Sequence, residues 1–240
     1  MSLDDPLLWT ALFKIIGVNI VLSGDNAVVI ALAARSLHGR QQKQAIFWGS
    51  AAAIVMRIAL TLFALALLAL PWLKLVGSAL LLWIGVKLLV PADEDADITA
   101  SDNLWLAIRT ILIADLVMSL DNVIAVAAAA GGHWALMIVG LAISIPIVIF
   151  GATLLVKLME RWPVIITIGA ALIGFVAGEM AWEDSAISAW TSPYPVDMKY
   201  AAAVVGAVLV VALGNWLAQR VETRSHEAAA AKKVSQRTAR

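Results

Sequence analysis

Long apolar runs separated by short polar segments organise this chain. Seven stand out: Leu7 to Ala34, Ala45 to Leu70, Trp72 to Val90, Leu104 to Ala130, Trp134 to Leu158, Pro163 to Trp182, and Tyr200 to Ala218. Each is about 20 residues or longer, the length an α-helix needs to cross the hydrocarbon core of a bilayer. None shows the short alternation of an outer-membrane barrel strand. The pattern predicts an all-α integral membrane protein with seven transmembrane helices. No basic segment precedes the first run and no small-residue cleavage site follows a short apolar core, so that run is expected to be a permanent helix.

Two polar interruptions lie deep in these runs, Ser23-Gly24-Asp25-Asn26 in the first and Ser119-Leu120-Asp121-Asn122 in the fourth. A carboxylate near the middle of a spanning helix costs about 2.5–3.5 kcal/mol even on the lenient insertion scale, so two in matching surroundings suggest parts of one polar site. Aligning Asp25 with Asp121 pairs Ser23 with Ser119, Asn26 with Asn122 and Asn19 with Asp115. After a shift of a few residues, Gly49 falls opposite Gly140, Pro71 opposite Pro163, Gly77 opposite Gly169 and Lys87 opposite Glu179. This is the signature of an internal duplication. Three spans per copy is an odd number, so the second copy enters the membrane upside down: a 3+3 inverted repeat plus one C-terminal helix. The expected divisions are residues 1–92 for the first repeat, 93–103 for an acidic linker, 104–197 for the second repeat, 198–219 for the seventh helix and 220–240 for a basic tail.

Composition excludes the soluble alternative. With 62% hydrophobic and 14% charged residues and a mean hydropathy of +0.91, 240 residues carry too little polar surface for a water-soluble globule. The net charge of zero is uninformative, but its distribution is not. Arg35, Arg40 and Lys43 flank the first connection, Lys157 and Arg161 the fifth, and Arg220, Arg224, Lys232, Lys233, Arg237 and Arg240 follow the last span. Seven spans put all three groups on one side, which predicts the N-terminus outside and the C-terminus in the cytoplasm. The tail is expected to be a solvated or frayed extension that anchors this topology. Trp9, Trp72, Trp134, Trp162 and Trp182 lie near span ends and read as interfacial anchors.

Helical spacing gathers the polar residues. Asn19, Ser23 and Asn26 fall at i, i+4 and i+7, as do Asp115, Ser119 and Asn122, so each set forms one stripe. Asp25 and Asp121 lie about 100° around an ideal helix from the following Asn, which predicts interrupted or kinked first and fourth helices. Two carboxylates, two amide oxygens and two hydroxyls make an all-oxygen set suited to a hard divalent cation such as Mg²⁺, Ca²⁺ or Mn²⁺. Cysteine is absent, and His38, His133 and His226 fall in expected loops or the tail, so sulfur and imidazole chemistry has no support.

Leu22-Ser23-Gly24-Asp25-Asn26-Ala27 and Met118-Ser119-Leu120-Asp121-Asn122-Val123, doubled across three plus three spans with a seventh helix, resemble the TerC family, in particular its short YjbE-like branch within the LysE-like exporter group. The resemblance covers roughly residues 7 to 219. It implies that Asp25, Asn26, Asp121 and Asn122 contact a metal ion, with Mn²⁺ efflux or Mn²⁺ supply to exported proteins as the activity. The family commonly carries an acid one to two turns before each Asp-Asn; here Asp115 matches and Asn19 departs. A site with three local acids, or one in which Asp115 accepts a proton, fits better than a symmetric four-carboxylate site.

The expected function is therefore divalent-cation transport, Mn²⁺ efflux by alternating access, with protons as the coupling ion. No cofactor is expected and the cation is substrate. Asp25, Asn26, Asp121, Asn122 and Asp115 would hold the metal, with Asn19, Ser23, Ser119, Glu179 and Arg57 in supporting or relay roles. Arg57 could pair with an acid or gate the site, or equally snorkel or satisfy a structural carbonyl. Expected partners are the lipid bilayer, the ion, protons and a second copy of the chain, but no nucleic acid. Two other functions compete with transport. An intramembrane aspartic protease would use two aspartates sharing a proton, although the Gly-x-Gly-Asp pattern of such enzymes is broken at Leu22-Ser23-Gly24-Asp25. A membrane partner that hands metal to exported enzymes would bind metal without carrying it across.

Overall fold

The computed structural model describes residues 13, 16–17, 24–68, 70–90, 100–130, 134–195 and 197–238. Of these, 62–68, 100–102, 121–130, 134, 136–137, 222 and 224–238 are described by their backbone alone. Eight helices and no strands occur among the described residues: α1 Gly24–Ala34, α2 Gly39–Leu68, α3 Leu73–Leu89, α4 Ala100–Ala130, α5 Trp134–Arg161, α6 Val164–Trp182, α7 Ser188–Thr191 and α8 Asp197–Thr238. Five of them, α2, α4, α5, α6 and α8, are long and apolar enough to cross a membrane. The described part of α1 has 11 residues and α3 has 17, about 26 Å of helix. The outward surface is apolar: Phe150 is 71%, Val55 67% and Val208 59% exposed. Water would penalise such a surface, whereas lipid accommodates it.

The helices meet in a paired pattern. α1 packs on α5 as α4 packs on α2, and α1 touches α6 as α4 touches α3. α1 also meets α4, α2 meets α5, and α3 meets α6. Exchanging α1, α2 and α3 with α4, α5 and α6 maps each of these contacts onto another or onto itself. α8 stands outside the exchange, packed on α6 and α3.

Small residues set the closest of these crossings. A Cβ on Gly174 would lie 2.5 Å from the Gly206 carbonyl oxygen, and one on Gly178 only 2.2 Å from that of Ala202. Gly174 and Gly178 are spaced i, i+4 on α6, the small-xxx-small arrangement that lets two backbones touch in lipid.

Charge from distant loops closes both ends of α3. Asp184, 1% exposed, accepts the backbone N–H of Trp72 at 3.1 Å, of Leu75 at 2.9 Å and of Ala186 at 2.7 Å. A carboxylate there satisfies the N–H groups that the first turn leaves open and opposes the positive end of the helix dipole. It also holds Trp72, whose φ of 70° is left-handed. At the other end, Arg35 from the α1–α2 connection donates through Nη2 to the Leu88 carbonyl at 2.7 Å. The chain turns out of that connection at Gly39, where φ is 56°, a conformation glycine adopts without steric penalty.

Two elements differ from expectation. Of the interruption or kink expected in the fourth helix, the interruption is absent: α4 is helical throughout Ala100–Ala130. Leu120 stands where the first copy has Gly24, and the Ser119 hydroxyl is engaged by a side chain. The corresponding stretch of the first copy, residues 18–23, lies outside the described residues, as does most of the linker at 93–103. The tail, expected to be solvated or frayed, is not frayed: α8 continues without a break to Thr238, and its Ala228 to Ala231 run is strongly helix-forming.

Two stability predictions follow from this packing. Gly178→Ala should destabilise the detergent-solubilised protein by about 1–3 kcal/mol, read as a lowered thermal midpoint, whereas Gly24→Ala, whose Cβ would meet none of the described residues within 4 Å, should not. For Asp184, burial raises the carboxyl pKa, but the N–H groups of Ala186, Leu75 and Trp72 outweigh it and hold the pKa below 3.8. Its stabilisation is then complete above about pH 4 and disappears as the pH falls through the folded value. Asp184→Asn should lower the midpoint at pH 7 and flatten the acid limb of a midpoint-against-pH curve.

Candidate cation site

α1, α2, α4 and α5 converge on a small cavity lined by Asn26 and Ile30 of α1, Ser50, Ala53, Ile54 and Arg57 of α2, Asp115 of α4 and Val148 of α5. Its volume of about 10 Å³ is at the threshold for one water molecule. The surrounding helices are apolar, so every polar group here was brought in against a desolvation penalty.

Arg57 and Asp115 are the central pair. Arg57 Nη2 lies 2.5 Å from Asp115 Oδ1, with the two side chains 3% and 5% exposed. Arg57 Nε donates to Ser119 Oγ at 3.0 Å, and that hydroxyl donates to Asp115 Oδ2 at 3.1 Å. Both carboxylate oxygens and two guanidinium nitrogens are thus used in a closed ring of three side chains. The i, i+4 spacing of Asp115 and Ser119 makes their bond local to α4, whereas Arg57 arrives from α2. Thr61 Oγ1 donates to the Arg57 carbonyl at 2.7 Å, one turn further along α2.

Asp25 and Asn26 approach from α1. Asn26 is 3% exposed and faces the cavity, while Asp25 is half-buried and accepts the Asn26 backbone N–H at 2.8 Å. Asp25 is thus the residue next to Asn26, which lines one cavity with Arg57 and Asp115. Ser50 is 1% exposed, and its hydroxyl finds no hydrogen-bond partner among the described residues. Sequence reasoning passed over Ser50; the signal available was its place next to Gly49, which lies against Ile111 of α4.

Several expected site residues are not placed by their side chains. Asp121 and Asn122 lie on α4, on the turn after Ser119, with their backbone alone described; Asn19 and Ser23 lie outside the described residues. Glu179 is not brought to this cavity. It pairs with Lys199 at 2.8 Å, and Lys199 also reaches Glu183, which in turn accepts from Lys74 at 3.2 Å. That network ties the C-terminal end of α6 to the starts of α8 and α3. Burial raises the Glu183 carboxyl pKa, but the lysines on either side prevail and hold it below the usual carboxylate value. Lys87, aligned with Glu179 by the repeat, stacks its ammonium 5.0 Å from the Trp83 ring centroid.

The donor set is chemically narrow. Among the described residues no three His, Cys, Asp or Glu side chains converge as a ready-made metal cage. Carboxylate, amide and hydroxyl oxygens suit a hard, partly hydrated cation, and a buried arginine already neutralises one of the acids.

Comparison with known proteins agrees with this architecture. Residues 4–222 match the model of the family described as "Integral membrane protein TerC family". The chain is 44% identical to the membrane protein YjbE of Bacillus subtilis over 178 residues, which is 74% of this chain and 82% of that one. It is 26% identical to YceF of the same organism over 75% of this chain and 73% of the relative. It is also 28% identical to the inner membrane protein YgdQ of Escherichia coli, over 67% and 75% respectively. No solved structure matches the chain. Five spanning helices and relatives named as bacterial inner membrane proteins make this a multi-pass protein of that membrane. With the family match running almost end to end and YjbE 44% identical, the chain belongs to the TerC family.

Proposed function

We propose that this protein is a carrier, not an enzyme, that exports divalent cations, Mn²⁺ first among them, by alternating access. The observation that carries the proposal is the polar junction of α1, α2, α4 and α5, where Asn26, Ser50, Arg57 and Asp115 surround a cavity inside an otherwise apolar bundle. Buried polar groups at this depth are expensive and mark pathways for ions or protons.

The scaffold is seven spans: two inverted repeats of three and one additional helix, N-terminus outside and C-terminus in the cytoplasm. Two features support it. The helix contacts map onto themselves when α1–α3 are exchanged with α4–α6. Arg35 joins the end of α1 to the end of α3, while Asp184 joins the end of α6 to the start of α3, as strict alternation across a membrane requires.

In this scheme the cation enters from the cytoplasm and sheds part of its hydration. Asp25 and Asn26 of one repeat then hold it against Asp121 and Asn122 of the other. Rocking of one repeat against the other opens the outer side. Export works against an inside-negative potential, worth about 2.3 kcal/mol per charge per 100 mV, and protons moving inward supply the drive. Proteolysis by paired aspartates is less well supported, since the Gly-x-Gly-Asp pattern of such enzymes is broken at Leu22-Ser23-Gly24-Asp25.

Proteoliposomes with an imposed pH gradient test this. Wild type should move Mn²⁺ faster than Mg²⁺ or Ca²⁺ in a gradient-dependent way, and Asp25→Ala or Asp121→Ala should reduce the flux at least about 100-fold, the size of effect expected when a site loses an essential charge. Flux unaffected by both substitutions would remove the site assignment; Mn²⁺ binding without any flux would favour metal hand-over to a partner instead.

A further inference from the structure

Arg57 has no counterpart in the other half of the molecule. The alignment that places Gly49 opposite Gly140 places Arg57 opposite Val148, and the one that pairs Asp25 with Asp121 places Asp115 opposite Asn19. The structure bears on the first of these, because Arg57 and Val148 line the same cavity from α2 and α5. The α2–α4 contact therefore carries a cation and an anion, while its mate, α5–α1, has a neutral residue at both positions. Charge differs between the repeats as a pair, not singly.

That pairing changes the charge count of the site. In the proposed site Asp25, Asp115 and Asp121 would bring three negative charges and Arg57 one positive, leaving the charge that one divalent ion neutralises. Arg57 uses Nη2 on Asp115 at 2.5 Å and Nε on Ser119 at 3.0 Å, so the oxygens of Asp115 are committed before any substrate arrives. An incoming ion that is to use Asp115 must first separate it from the guanidinium.

We infer that Arg57 is a tethered counter-cation that competes with the transported ion for Asp115 and Ser119, setting the affinity of the site and permitting release. It rests on the cation-transport reading and deepens it. Without Arg57 the site would hold one negative charge too many and retain its cargo; without Asp115 the guanidinium would repel it. A purely structural Arg57 would make no such signed prediction, because losing either member of a buried pair simply harms folding.

A double-mutant cycle on Mn²⁺ uptake into proteoliposomes separates the two, with equilibrium Mn²⁺ binding to the detergent-solubilised protein run in parallel. Arg57→Gln should lower the half-saturating Mn²⁺ concentration at least about tenfold and slow turnover, and Asp115→Asn should raise it by a similar factor, as expected for unit charges acting across a poorly screened interior. The double variant Arg57→Gln/Asp115→Asn, neutral at both positions like the α5–α1 mate, should return to within about threefold of wild type. Arg57→Lys keeps the charge and should stay near the wild-type half-saturation, which secures the comparison if the Gln variant folds poorly. Wild-type uptake with half-saturation unchanged in Arg57→Gln and in the double variant would overturn this inference alone. Neither uptake nor Mn²⁺ binding in wild type and variants would overturn the transport reading together with it.

Discussion

An aspartate buried inside a lipid-facing bundle is the constraint around which this protein is arranged. Asp115 is 5% exposed, and the residues beside it on α4 are Ile113, Ala114, Leu116 and Val117. A buried charge persists only when paired and hydrogen-bonded. Arg57 supplies the opposite charge and Ser119 the bridging hydroxyl. Because Arg57 comes from α2 and Asp115 from α4, the pair fixes how those helices sit against each other. The rest of the cavity, with Asn26 from α1 and Val148 from α5, is built beside that fixed point.

The same logic recurs at the margins with different chemistry. α3 is a short helix whose first N–H groups and last carbonyls would be left open in the membrane's poorly solvating surroundings. Asp184 fills one end and Arg35 the other, each with the sign that opposes the helix dipole. The α6–α8 crossing instead uses the absence of side chains at Gly174, Gly178 and Gly206. Charge thus positions the site and the ends of α3, while close backbone packing secures the extra helix.

Much of this was legible in the residues because the relevant information is local or periodic. Apolar runs gave the helices, and the i, i+4 spacing of Asp115 and Ser119 gave a stripe that the 3.1 Å bond between them realises. Arg57 was visible as an anomaly, but four roles were open to it, since pairing with a residue 58 positions away depends on how α2 and α4 are registered. Asp184 was hidden for the same reason: its partners at Trp72 and Leu75 are more than a hundred positions distant, and in sequence it is one acid among several in an exposed-looking loop. Ser50, a serine in a run of small residues, carries no pattern until the cavity exists. The unbroken α4 shows the opposite failure, in which polar residues suggested a backbone break that side-chain bonding makes unnecessary.

Transport through this junction requires the cation to sit between the two repeats. A Mn²⁺-loaded structure of the full chain, with the metal located by its anomalous scattering, measures that directly. One strong peak is expected between α1 and α4, within coordination distance of the Asp25 and Asp121 carboxylates, with Arg57 drawn away from Asp115. A peak at the Glu179, Glu183 and Lys199 network, or Mn²⁺ bound with the Arg57–Asp115 pair intact and no contact to Asp25, would contradict that placement.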